Sequence, residues 1–323
     1  MTNSDSRPRP ANARGAAAQT PTSAAAPTLS ETAPGVEPGA AAAELTGAQA
    51  GTNSTAGARS IAAAFARANG EGRAALIPYV VAGYPDHAGS LAVALAAADA
   101  GADLLEIGLP YSDPMADGAT LQRASAAAIR AGATFARSIE LLREIHAARP
   151  DLPLVAMGYA NQLIGGGDGS AVAGKLAEAG TAGVIVADLT PDEGGPFEAV
   201  ARDAGLAVVY LIAPTSAPTR RAAVAARSGG FLYCVSLVGV TGARASLPAS
   251  VRDLVAAAKA ESPVPVAVGF GVSLPEHARM LAAAGADGVI VASALVDALG
   301  PDGRDLAGLG RLVAALRSGA ARP

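Results

Sequence analysis

Three stretches of the chain share one pattern: AGADLLEIG at 100–108, AGTAGVIVA at 179–187 and AGADGVIVA at 284–292. In each, a glycine (Gly101, Gly180 or Gly285) closes an alanine-rich helical stretch, and an apolar run starts within a few residues. A helix that stops on a left-handed glycine and hands over to a strand is the αβ joint of an α/β protein. Continuously apolar strands belong in a parallel sheet covered by helices, whereas a half-exposed antiparallel strand alternates.

The same alternation runs through most of the chain. Candidate strands are Ala75–Val81, Asp103–Gly108, Leu154–Gly158, Gly183–Ala187, Ala207–Leu211, Phe231–Val235, Val264–Val268 and Gly288–Val291, separated mostly by alanine-rich amphipathic helices. Eight β–α units in about 250 residues predict a closed (β/α)8 barrel of the TIM type, a single α/β domain. An open doubly wound sheet is the alternative, disfavoured because eight such units close more naturally. Helical material at Leu121–Ala131 and Phe135–Ala148 makes one connection longer than the rest. Alanine supplies much of the 51% apolar content, so small residues are expected at many helix–strand contacts.

Residues 1–57 differ from the rest. They are rich in Ala, Pro, Thr, Gly and Ser, lack aromatic residues and show no apolar periodicity, so burial cannot offset the entropy of ordering them. They are read as a disordered tail, with residues 58–323 forming the barrel domain. Arg7, Arg9 and Arg14 are not followed by the roughly 7–15-residue apolar segment of a secretory signal. A short leading helix is expected over Ser60–Asn69, ended by Gly70.

Composition excludes several functions. A net charge of −4 without a basic, aromatic-interleaved stripe argues against nucleic-acid binding. The chain has none of the ~18-residue apolar runs that a spanning helix needs. Cys234 is the single cysteine, which rules out an intramolecular disulfide and fits a reducing cytoplasm. His87, His146 and His277 are scattered without ligand spacing, so no metal site is expected.

The chemistry concentrates at LLEIGLPYSDPMADGA, residues 104–119. Glu106 is embedded in an apolar strand, and Asp117 follows in the next loop, directly before Gly118. Alone, the pair reads as a satisfied strand glutamate beside an ordinary Asp-Gly turn. In a barrel, however, functional groups gather at the C-terminal strand ends and the following loops, where both residues fall. Late in the chain, GVTGA (239–243), GFGVS (269–273) and VASALV (291–296) follow consecutive strands. Glycines there let backbone N–H groups approach an anion, Ser293 adds a hydroxyl donor, and loops at this place commonly hold phosphate.

Together with IPYVVAGYP (77–85) and MGYAN (157–161), these motifs resemble the tryptophan synthase alpha subunit family over roughly residues 60–320. The resemblance implies a lyase that cleaves indole-3-glycerol phosphate to indole and glyceraldehyde 3-phosphate, with no cofactor in this chain. It makes Glu106 the general acid/base and Asp117 the anchor for the indole N–H and the stabiliser of positive ring charge. A donor has to keep its proton near neutral pH, so a raised pKa is expected for Glu106, with Asp117 anionic. Tyr79 and Tyr233 correspond to side chains lining the indole pocket. Thr241 and Gly242 lie in a loop that closes over substrate, and Gly242, Gly271 and Ser293 match phosphate contacts with Phe270 between them. Asp188 falls near the active-site mouth.

By the same resemblance, the partner is a pyridoxal-phosphate beta subunit in an α2β2 heterotetramer, which receives the indole and makes L-tryptophan. Pro110, Asp113 and the loop around Asn161 would face it. Two alternatives stay open: a stand-alone indole-releasing lyase, and a subunit that mainly activates a partner. Ala119 stands where a proline is common after ADG, Ala292 where a glycine is common before the phosphate serine, and NQLIGGGDG (161–169) is unusually glycine-rich.

Overall fold

The computed structural model describes residues 55–235, 249–269 and 271–322. Nine parallel strand segments, β1 (Ala75–Val81), β2 (Leu105–Gly108), β3 (Leu154–Gly158), β4 (Gly183–Val186), β5 (Ala207–Val209), β6 (Leu211–Ile212), β7 (Leu232–Val235), β8 (Val266–Gly269) and β9 (Gly288–Val291), form one sheet. Their order is β5-β4-β3-β2-β1-β9-β8-β7-β6. The two outermost segments, β5 and β6, are separated only by Tyr210, whose carbonyl accepts from Tyr233 N–H at 3.0 Å. One length of chain therefore pairs with β4 on one side and β7 on the other, which closes the barrel and excludes the open sheet. Tyr210 points outward, and its hydroxyl donates to Glu198 on the surrounding helical layer.

The helices are α1 (Ala56–Gly70), α2 (His87–Asp99), α3 (Ala119–Arg130), α4 (Phe135–Ala148), α5 (Ala160–Leu163), α6 (Ser170–Glu178), α7 (Pro191–Asp203), α8 (Pro218–Arg227), α9 (Ala249–Glu261), α10 (Pro275–Ala283), α11 (Ser293–Ala298) and α12 (Leu306–Gly319). No described helix is long and apolar enough to cross a membrane. The three glycine joints have the expected geometry: φ is 104° at Gly101, 81° at Gly180 and 95° at Gly285. Each shows the paired bonds of a Schellman stop, for instance Gly180 N–H to Ala177 O at 2.9 Å and Thr181 N–H to Leu176 O at 3.1 Å. Gly132 and Gly205 end helices in the same way.

Alternation along the strands separates two apolar layers. Leu105, Ile107, Val184, Val208, Cys234 and Val289 face the helices, whereas Ile77, Leu104, Val155, Ile185, Phe231 and Ile290 fill the barrel. The leading helix α1 seals the N-terminal end: Ile61 and Phe65 belong to the interior cluster and are buried. Space for them comes from small residues, because a Cβ at Gly288 would lie 2.7 Å from the Phe65 ring and one at Gly230 would lie 2.9 Å from Ile61 Cδ1.

Several sequence boundaries shift. The leading helix starts at Ala56, four residues before Ser60 and inside the segment assigned to the tail; the Thr55 hydroxyl caps it by accepting from Ala58 N–H. Residues 1–54 of the expected tail lie outside the described residues. Asp103 is a loop residue rather than the start of a strand: its carboxylate accepts from Leu76 N–H and forms a bidentate pair with Arg73. The strand expected at Val264–Val268 runs Val266–Gly269 instead.

Candidate active site

Glu106 sits on β2 between Tyr79 of β1 and Val155 of β3, its register partners. Its chain neighbours Leu105 and Ile107 pack outward, so its own side chain faces the barrel interior. It is 0% exposed, and neither carboxylate oxygen has a hydrogen-bond partner among the described residues. Burying an unpaired carboxylate strongly favours its neutral form. Desolvation, reinforced by the nearby charge of Asp117, raises the Glu106 pKa from 4.5 to about 8.

Asp117 lies half-buried in the loop between β2 and α3, one residue before the Gly118 N-cap. Burial alone lifts its pKa from 3.8 to about 6, so it is mostly ionised near neutrality while Glu106 keeps its proton. The two acids therefore differ near neutrality: a protonated carboxyl inside the barrel and a mostly ionised one in the loop that follows β2. Tyr79 and Tyr233 join them at the mouth. Both are buried, and burial together with the two carboxylates holds both phenols well above their ordinary pKa. Each ring lies over a strand-end glycine: a Cβ at Gly108 would sit 1.8 Å from the Tyr79 hydroxyl oxygen, and one at Gly269 would sit 2.7 Å from that of Tyr233.

The loop bearing Asp117 is fixed chiefly by Tyr159 just after β3, by α5 and by α3. The Tyr159 hydroxyl accepts from Ala116 N–H at 3.0 Å, and the Tyr159 ring stacks on Tyr111 with centroids 5.0 Å apart. Gln162 donates to the Pro110 carbonyl at 2.8 Å and Asn161 to the Tyr111 hydroxyl at 3.3 Å. Ser125 on α3 exchanges bonds with both backbone groups of Tyr111. Asp188, after β4, accepts from Ala160 N–H at 2.7 Å and so steadies the first turn of α5. Asp113 is exposed at the tip of the loop.

Tyr159, Gln162 and Ser125 were not singled out from the sequence. For Tyr159 and Gln162 the signal was the stretches MGYAN and NQLIGGGDG, in which Tyr159 is an aromatic with a polar tip directly after an apolar strand. Ala119 occupies the first helical position of α3, where proline fits well and alanine, the best helix former, is also accommodated.

β9 and β8 are neighbours two and three strands round the barrel from β2, so the Gly271–Ser273 segment and Ser293 follow adjacent strands. Gly271 and Ser293 are exposed; Gly271 has φ +49°, and Ser293 opens α11 after Ala292, whose φ of −125° needs no glycine. Thr241, Gly242 and Phe270 lie outside the described residues. No group of three or more His, Cys, Asp or Glu among the described residues is arranged to hold a metal ion.

Residues 65–313 match the family described as "Tryptophan synthase alpha chain". The tryptophan synthase alpha chain of Chloroflexus aurantiacus is 42% identical over 266 residues, 81% of this chain and 99% of that protein. Among solved structures, Mycobacterium tuberculosis tryptophan synthase superposes with a TM-score of 0.74 at 39% identity, covering 81% of this chain and 98% of that one. A chain of the tryptophan synthase α2β2 complex of Pyrococcus furiosus gives 0.72 at 36% identity, covering 76% and 98%.

Proposed function

The chain belongs to the tryptophan synthase alpha chain family of lyases, and on that premise we propose that Glu106 and Asp117 carry out the cleavage of indole-3-glycerol phosphate. The observation that supports this most directly is Glu106, fully buried, unpartnered and protonated near neutral pH, with an ionised Asp117 beside it. Glu106 donates its proton to the indole carbon that bears the side chain. Positive charge then resides on the ring nitrogen, whose N–H points at the Asp117 carboxylate. The Glu106 carboxylate next accepts the proton of the side-chain hydroxyl. The adjacent C–C bond breaks, and its electron pair restores the aromatic ring. Indole and the aldehyde glyceraldehyde 3-phosphate leave, and Glu106 has regained the proton it lent.

Tyr79 and Tyr233 wall the indole pocket, the backbone of Gly242 and Gly271 with the Ser293 hydroxyl holds the phosphate, and Thr241 belongs to the loop that closes over substrate. Met115, 87% exposed at the tip of the Asp117 loop, offers an apolar contact for a partner. That partner is a pyridoxal-phosphate beta subunit in an α2β2 assembly, as in the Pyrococcus furiosus complex, and contact through this loop couples indole release to indole use. A single cysteine, Cys234, buried and free, accords with a reducing cytoplasm.

Steady-state indole release from indole-3-glycerol phosphate, measured with and without a beta subunit, tests the reading. Strong stimulation by the beta subunit is expected. High activity of the chain alone would instead favour a stand-alone lyase, and no turnover in either condition would refute the proposed reaction.

A further inference from the structure

The segment that links β8 to α10 is held in an unusual way. Among the described residues, the backbone of 271–273 makes one hydrogen bond, from Ser273 N–H to Nδ1 of His277 at 3.3 Å. α10 begins at Pro275 with Leu274 as its N-cap, a residue whose side chain cannot accept a hydrogen bond. His277, at the third helical position, reaches back instead past the N-cap to Ser273 N–H, one residue beyond the backbone N–H that a glutamate or glutamine accepts from in a capping box. Its ring is 4% exposed, a burial that an unpaired imidazole tolerates poorly. A donor facing Nδ1 requires a lone pair there, so the neutral ring carries its proton on Nε2. Upstream, Val272 is buried at 3% and Gly271 turns the chain with a φ of +49°. The loop is therefore pinned at Val272 and at Ser273, while Gly271 stays exposed beside the Ser293 segment of the neighbouring strand.

We propose that His277 is a positioning residue for anion binding, holding the loop after β8 in the shape that presents the Gly271 backbone to a phosphate group. The inference rests on the phosphate location proposed above and adds to it the side chain that sets the loop. His277 touches no substrate; it acts through Ser273. Because the function needed is an acceptor at the third helical position, glutamine substitutes for histidine, and an apolar residue of similar bulk does not.

Binding of glycerol 3-phosphate and of indole propanol, which carries the ring without phosphate, is measured by calorimetry on the full chain and its variants. His277→Leu is expected to weaken glycerol 3-phosphate about 5–10-fold, the effect of one lost hydrogen bond, and to leave indole propanol unchanged. His277→Gln is expected to bind both ligands as the wild type does. Thermal unfolding of both variants checks that they are folded. Equal loss of both ligands in His277→Leu, no loss of either, or an equal loss in His277→Gln would overturn the assignment. So would a wild-type chain that fails to bind glycerol 3-phosphate. A wild type that binds it but releases no indole would overturn the proposed reaction and leave the positioning role intact.

Discussion

Replacing Glu106 by glutamine removes an ionisable group and keeps its shape, so its effect on stability reports how the barrel treats a charge. The wild-type carboxyl titrates at about 8 in the folded chain against an ordinary 4.5. Between those values the unfolded chain has released the proton and the folded chain still holds it. Raising the pH therefore favours unfolding by about 1.4 kcal/mol per pH unit across that window. The accumulated cost is about 3 kcal/mol at pH 7 and levels off at about 5 kcal/mol above pH 8. The glutamine has no proton to lose and escapes it. Asp117, raised by burial alone, contributes the same trend to both proteins and cancels in the difference.

The assay is the difference in unfolding free energy between Glu106→Gln and the wild type at about pH 5 and about pH 9, from denaturant or thermal unfolding. Near pH 5 the two are expected to be nearly equal, since a protonated acid and an amide are both neutral and both unpartnered. Near pH 9 the variant is expected to be more stable by several kcal/mol, while its turnover is lost. A difference that stays constant with pH would show that Glu106 ionises normally inside the barrel, and the acid role would fall with it. On the proposed roles, the same two groups are expected to set the pH–rate profile of the wild type. kcat/KM is expected to rise through about 6 as Asp117 ionises and to fall through about 8 as Glu106 loses its proton.

Asp117→Asn is expected to lower turnover by about 10²–10³-fold, as the loss of one preorganised charge stabiliser does, with glycerol 3-phosphate affinity retained; loss of that affinity would refute a role confined to the indole ring. Tyr159→Phe keeps the stack on Tyr111 and removes only the acceptor for Ala116 N–H, so kcat should fall about 5–10-fold with about 1 kcal/mol of destabilisation; unchanged kcat would mean the hydroxyl does not position Asp117. Gly288→Ala forces a methyl to within 2.7 Å of the Phe65 ring and should cost about 1–3 kcal/mol in thermal unfolding. Adding Phe65→Leu should recover part of that loss, and a purely additive double mutant would show that the clash is elsewhere.

What the sequence made legible was local. Gly101, Gly180 and Gly285 each end a helix within a few residues of the strand that follows, so the αβ joints and most strand limits could be read directly. A carboxylate inside an apolar strand is equally local, which is why Glu106 stood out. The start of α1 was missed because AGARS has no apolar spacing to mark it, and its cap is a single threonine. Asp103 was placed in a strand because apolar runs do not reveal where ladder pairing begins. Tyr159 and Ala116 are 43 residues apart, and their bond exists only because β2 and β3 are neighbours in the closed barrel. His277 and Ser273 are close in sequence, yet their bond needs a helix that starts at Pro275 without a capping side chain.

The raised pKa of Glu106 depends on more than its immediate neighbours. Burial can hold a proton on a carboxyl only if water is excluded from below as well as from above. Below, the seal is aromatic: Phe65 of α1 packs at a tilt on Phe231 with centroids 5.7 Å apart, and Phe231 reaches up to Tyr233 at the mouth at 6.2 Å. Leu104, one interior step before Glu106 on the same strand face, belongs to this dry cluster. Above, among the described residues, the covering element is the Asp117 loop, tied down at Ala116, Tyr111 and Pro110 by bonds from Tyr159 just after β3 and from α3 and α5. The floor is apolar and closed by close packing, whereas the lid is held by a few polar bonds between loops, so the mouth is the side that can open to substrate. Among the described residues the floor offers no path to Glu106, so α1, packed at the far end of the barrel, helps hold the Glu106 pKa up.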